Sequence, residues 1–211
     1  MDKIYSVNGP VVKVADTKSF AMQEMVYVGK KRLIGEVIRV QSDFTTIQVY
    51  EGTTGLMPDE PVTSTGAPMS ATLGPGIINN IFDGIERPLK KLEEVSGAFI
   101  ADGADVSSLD TEKKYPVTMT VKTGDKLSAG DIYCTCPETP LITHKCMLSP
   151  LSNGGEVIWT AENGDYTIND VVAKIKAPNG AVEELTLCQK WPIRTSRPCK
   201  NRLPITKPLV T

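Results

Sequence analysis

Histidine is almost missing from this sequence: His144 is the only one, which excludes a histidine pair and leaves little scope for a nucleophile–base triad. Long hydrophobic runs are missing too. No stretch approaches the ~18 apolar residues that span a bilayer, and the opening MDKIYSVNGPV lacks the apolar core and cleavage site of a secretory leader. An excess of either charge is also absent. Lys and Arg total 23 against 25 Asp and Glu, so the electrostatic footprint of a nucleic-acid binder is lacking. These absences predict a soluble cytosolic polypeptide with no nucleic-acid partner and no direct membrane insertion.

Cysteine is sparse and odd in number, and the five thiols (Cys134, Cys136, Cys146, Cys188, Cys199) show no disulfide-framework spacing. Cys134-Thr-Cys136, with His144 and Cys146 nearby, is not the C-x(2–4)-C knuckle of a structural zinc site. A strand would send both thiols of a C-x-C to one face. Reduced, half-buried strand cysteines are expected, and no metal ligand.

The common chemical motifs are missing as well. Gly-x-Ser-x-Gly, Gly-x-Gly-x-x-Gly and Gly-x4-Gly-Lys-[Ser/Thr] do not occur. Leu73-Gly74-Pro75-Gly76 is glycine-rich, yet Pro75 removes an amide donor and no lysine follows at the spacing a phosphate cradle needs. It reads as a turn. Asp102, Asp105 and Asp110 lack the order of a calcium loop and read as solvated carboxylates. No catalytic, cofactor-binding or metal-binding residue is expected in this chain.

What is present reads as strands and turns. Ile4–Val14, interrupted by Asn8-Gly9-Pro10, is followed by β-branched stretches at Leu33–Val40 and Thr46–Tyr50, with a hairpin connection at Ser42–Thr45. Short strands at ~10-residue spacing with glycine turns predict a small antiparallel barrel over 1–70. A second β-region starts at Tyr115, where Val117, Met119 and Val121 alternate with polar residues. It ends in a hairpin whose Asn179-Gly180 favours a two-residue type I′ connection. Between the two regions Ile77, Ile78, Ile81, Phe82 and Ile85 recur at near-helical spacing, predicting one short apolar helix that Lys90–Gly97 extends by a polar turn. From Trp191 onward four prolines leave no trustworthy strand pattern, and an extended connector is expected. The fold class is therefore mainly β: a barrel over 1–70, a bridging helix and loop over 71–112, an inserted β-domain over 113–187 and a connector over 188–211.

Residues Gly124–Ile175 resemble the barrel-sandwich of lipoyl and biotinyl carriers. Glu138-Thr139 is followed by Pro140-Leu141, however, so leucine occupies the acceptor position and Lys145 lies out of register. Five segments in order then resemble the N-terminal part of the catalytic A-subunit family of V-type and A-type rotary ATPases. They are GEVIRVQSDFTTIQVYEGTTGL (35–56), VTSTGAPMSATLGPGIINNIFDGIERPL (62–89), VKTGDKLSAGD (121–131), GGEV with ENGDYTINDVVAKIK (154–176) and CQKWPIRTSRPCKNRLPITKPLVT (188–211). The inserted β-domain separates this family from the F-type chains and the V-type B subunit.

The resemblance implies a subunit that couples ATP hydrolysis or synthesis to proton or sodium-ion transport, with the phosphate loop, catalytic glutamate and Mg-ATP contacts beyond Thr211. It implies an A3B3 head of B subunits and other A subunits, with central and peripheral stalk subunits, on the cytoplasmic face of a membrane. It also implies that Ile77, Ile78, Ile81, Phe82 and Ile85 form an interdomain interface with the nucleotide-binding domain. The inserted domain would act by contact, through charged edges at Lys122, Lys126, Glu138, Glu156 and Glu162. The competing reading is a stand-alone β-module acting as a binding or scaffold protein.

Overall fold

The computed structural model describes residues 2–15, 19–78, 80–97, 99–104, 106–198 and Pro204. Six strands close into an antiparallel barrel: β1 (Asp2–Asn8), β2 (Val11–Ala15), β3 (Glu24–Val28), β4 (Leu33–Val40), β5 (Phe44–Val49) and β6 (Pro61–Pro68), in the order β1-β2-β5-β4-β3-β6. Alternation explains the fold. In β3, Glu24, Val26 and Val28 turn inward while Met25 and Tyr27 are half-buried. Val12, Val14, Val26, Val28, Leu33, Val37 and Ile47 are fully enclosed at the centre of the barrel core. Closure leaves no free ladder edge, the usual liability of a small antiparallel sheet.

A short strand, β7 (Ser70–Leu73), leaves the barrel, and the helix α1 (Leu89–Ser96) follows. The second module then forms two four-stranded sheets. One holds β8 (Tyr115–Met119), β10 (Ile132–Pro137), β11 (Thr143–Met147) and β13 (Gly164–Tyr166), in the order β11-β10-β8-β13. The other holds β9 (Lys126–Leu127), β12 (Gly155–Thr160), β14 (Ala173–Lys176) and β15 (Val182–Leu185), in the order β15-β14-β12-β9. Both sheets contribute to one core, separate from the barrel's, that includes Tyr115, Val117, Tyr133, Cys134, Val157, Ile175 and Leu185.

The last strand, β16 (Gln189–Pro192), returns to pair antiparallel with β7: Gln189 faces Leu73 and Pro192 faces Ser70. The chain thus leaves for the second module and comes back along a single two-stranded ribbon.

The structure revises several local expectations. Among the described residues of 77–88 there is no helix. The segment consists of turns and an isolated bridge between Phe82 and Pro88. Its isoleucines, asparagines and Gly84 are weak helix formers. Side chains also claim the backbone: Asp83 accepts the amides of Ile85 and Arg87 at 3.0 and 2.8 Å, and the Asn80 amide donates to the Gly76 carbonyl at 2.6 Å. The helix lies further on, in the stretch expected to add only a polar turn. Pro88 precedes it, the Gly97 amide closes it by donating a hydrogen bond to the Glu93 carbonyl, and Leu92 is its buried residue.

The Asn179-Gly180 connection is not type I′. Only Gly180 has a positive φ, at 86°, and its amide donates to the Ala177 carbonyl. Pro178 presets a turn that starts one residue earlier, and glycine takes the left-handed position that follows. The connector expected from Trp191 onward also begins as a strand, and Trp191 is only 5% exposed. Cys134, Cys136 and Cys146 are buried rather than half-buried, and Cys188 is intermediate. Asp105 and Cys199 lie outside the described residues.

Candidate functional site

Three joints built on buried carboxylates bring distant parts of the chain together. Glu36 projects from β4 with a side chain only 1% exposed, and Arg194, just beyond β16, reaches back to grip it. Arg194 Nε donates to Oε1 at 2.7 Å and Nη2 to Oε2 at 2.6 Å, a bidentate fork, while the Tyr50 hydroxyl also donates to Oε2. The guanidinium and then the tyrosine hydroxyl hold the Glu36 carboxyl below its ordinary range, against the pull of burial.

The sign of the resulting pH dependence follows. A depressed folded pKa contributes stability above the ordinary value of 4.5, and that contribution is lost as pH falls through the lower folded value. Replacing Arg194 with alanine should therefore lower the urea midpoint at neutral pH. The gap between variant and wild type should close as pH falls through that acid window, and a gap independent of pH would exclude the assignment.

The second joint is built on Arg87. Its Nε donates to Asp83 Oδ2 at 2.8 Å and its Nη1 to Glu51 Oε2 at 3.0 Å. Glu51 also accepts the Ile34 amide from the barrel at 3.1 Å and the Gly103 amide from the loop after α1 at 2.8 Å. Burial raises the cost of charge on Asp83, yet the Arg87 amide and guanidinium and the Ile85 amide outweigh it and hold the carboxyl low. One arginine thus ties the bridging segment to the barrel wall.

The third joint is Glu138, at the hairpin between β10 and β11. Its side chain is 3% exposed, so it is not the charged edge expected from the sequence. Oε1 accepts the amides of Gly76 and Ile78 at 2.8 and 3.0 Å. His144, expected as a partly exposed strand residue, sits in β11 with Nδ1 3.5 Å from Glu138 Oε2.

The five apolar residues expected to share one helical face are dispersed. Ile77 packs on the core of the second module, Ile78 and Ile81 are exposed, and Phe82 and Ile85 are half-buried. Ile85 lines a small cleft of about 140 Å³ with Met25, Ile34 and Ile193. The carboxylates of the three joints gave no sequence signal beyond their identity, because the partners that join distant segments lie far off: Arg87 is 36 positions from Glu51, Gly76 is 62 from Glu138 and Arg194 is 158 from Glu36. The thiols are poorly placed for nucleophilic work: neighbouring sulfurs and burial push Cys136 and Cys146 upward, away from thiolate. Among the described residues no group of three or more His, Cys, Asp and Glu is arranged to hold a metal ion. No helix among them is long and apolar enough to cross a membrane.

Comparison with known families agrees with this architecture. Residues 4–66 match the beta-barrel domain of the ATP synthase alpha/beta family, and residues 106–194 match the ATP synthase alpha/beta subunit barrel-sandwich domain. The chain is 49% identical to a V-type ATP synthase alpha chain of Halothermothrix orenii and 48% identical to the A subunit of the A-type ATP synthase of a Desulfurococcus species. Each match runs over all of this chain and 36% of the relative. It is 50% identical to V-type ATP synthase alpha chain 2 of Clostridium tetani, over 99% of this chain and 35% of that one. The chain spans about a third of the length of these relatives. With a closed barrel, a barrel-sandwich returned to it by one ribbon, and relatives that match along the whole of this chain, the chain belongs to the ATP synthase alpha/beta family, in the line of the V-type and A-type alpha or A chains.

Proposed function

We propose that these residues are the assembly portion of a V/A-type A subunit, whose whole couples ATP hydrolysis or synthesis to proton or sodium-ion movement across a membrane. The barrel takes part in the ring of an A3B3 head beside B subunits and other A subunits, and the barrel-sandwich leans on stalk subunits. The complex sits on the cytoplasmic face of the membrane, and Mg-ATP is held by the nucleotide-binding part of the parent subunit. The observation that carries this reading is the β7–β16 ribbon, which mounts a second complete β-module on a closed barrel. A module mounted in this way presents surface without interrupting the ring element beneath it.

The same reading holds that this chain alone neither binds nor hydrolyses ATP. A triphosphate needs a cradle of amides and a lysine, and no Gly-x4-Gly-Lys-[Ser/Thr] is present to supply them. Titration calorimetry of the chain with Mg-ATP should give no saturable heat. A micromolar dissociation constant, mapped to these residues by chemical-shift changes, would overturn it.

A further inference from the structure

The turn Gly74–Ile78 sits at the root of the excursion, directly after β7, and the β10–β11 hairpin reaches down to it through one side chain. Glu138 is nine-tenths buried and accepts two backbone amides of the turn on one oxygen. Its other oxygen accepts no hydrogen bond among the described residues, and the near group is His144 Nδ1 at 3.5 Å. The joint is close-fitting. A Cβ added at Gly76, whose φ is +97°, would lie 2.4 Å from the Tyr115 hydroxyl, so the glycine lets the turn approach β8.

We propose that Glu138 and His144 form a proton-sensitive latch that clamps the Gly74–Ile78 turn to the tip of the β10–β11 hairpin. At neutral pH the imidazole is uncharged and the two amides alone balance the carboxylate. Protonation of His144 turns a neutral neighbour into a cationic partner for Oε2, redistributing the carboxylate between hairpin and turn.

Every charged or titratable group facing the pair contributes to this balance. Cys136 lies opposite His144 in the ladder, and its thiol stays protonated. From β8, Tyr115 feels both Glu138 and Asp110, which together with burial keep it a neutral phenol. The Lys113 ammonium lies 5.0 Å from the Tyr115 ring centroid. Cys136 and Tyr115 are pushed up and Asp110 is held low by the Glu112 and Lys113 amides, so these three keep their charge in mildly acidic solution while the histidine does not. Burial pushes His144 below its ordinary 6.5, and the Glu138 carboxylate pulls it partly back. The folded latch therefore favours neutral imidazole, and that contribution to stability is lost as pH falls from 6.5 through the lower folded value.

With one histidine in the sequence, a proton NMR titration of the whole chain reads the latch without ambiguity. The His144 Hε1 resonance should titrate with a midpoint below 6.5, and the Gly76 and Ile78 amide resonances should move with the same midpoint. Glu138→Gln keeps an acceptor for the amides but removes the charge. It should lower the imidazole midpoint further and abolish the coupled amide movement. A midpoint at or above 6.5, amides that do not follow it, or a midpoint unchanged by Glu138→Gln would each overturn the latch. Should Glu138→Gln not fold, the wild-type titration decides alone, because a merely structural carboxylate gives no shared midpoint.

Discussion

Exchanging Arg87 for methionine is expected to cost about 3 kcal/mol of stability, the low end of the penalty for unpairing a buried charge. Arg87 and its partners are mostly enclosed: side-chain exposure is 10% for Arg87, 5% for Glu51 and 16% for Asp83. Methionine restores the packing of the stem but leaves two carboxylates without their cation. Glu51 keeps the Ile34 and Gly103 amides and Asp83 keeps those of Ile85 and Arg87, which holds the penalty to the low end. For a chain of this size the loss corresponds to a fall of roughly 6–12 °C in Tm. Arg87→Lys should recover only part, since an ammonium cannot present the planar fork that reaches Asp83 and Glu51 together. A methionine variant within about 1 kcal/mol of wild type would show that the network is not a stabilising joint.

Truncating Ile175 to alanine should have an effect of similar size, confined to one module. Ile175 is fully buried in the barrel-sandwich core, and loss of such a side chain costs about 2–5 kcal/mol through lost transfer energy and the cavity left behind. The barrel core shares no buried residue with it. Amide hydrogen exchange should therefore quicken at Val157 and Ala173 while Val12, Val26 and Ile47 keep their protection. Uniform loss across both sets would mean that the modules unfold as one cooperative unit, and the proposed division at 113–187 would fail.

The parts of this fold that the sequence reveals are those governed by neighbours a few residues apart. Val12 and Val14 alternate with exposed partners, and the Ser42–Thr45 turn closes β4 onto β5 through the Gln41 amide and Phe44 carbonyl. The misplaced helix shows where periodicity misleads. Ile77 to Ile85 have helical spacing, but Asp83 and Asn80 satisfy the backbone in turns and the intervening residues favour helix weakly. β16 is legible only from its partner, because four residues ending in Pro192 carry little pattern of their own. The carboxylate joints are legible least of all. Glu138 looks like an exposed hairpin charge until the chain brings Gly76 and Ile78 to it from 62 and 60 residues away.

The Glu36–Arg194 fork also sets a timetable for synthesis. Its partners are 158 residues apart, whereas the six barrel strands all lie within residues 2–68. At a synthesis rate of about 5–20 residues per second, roughly 8–30 seconds separate the appearance of Glu36 from that of Arg194. Once Pro68 has been made, and for the rest of that interval, the nascent barrel has all its strands, and Glu36 has the Tyr50 hydroxyl but not its guanidinium. The barrel is then complete in backbone and incomplete in charge. Arrival of Arg194 marks the moment when the second module has been made and its return strand has come home.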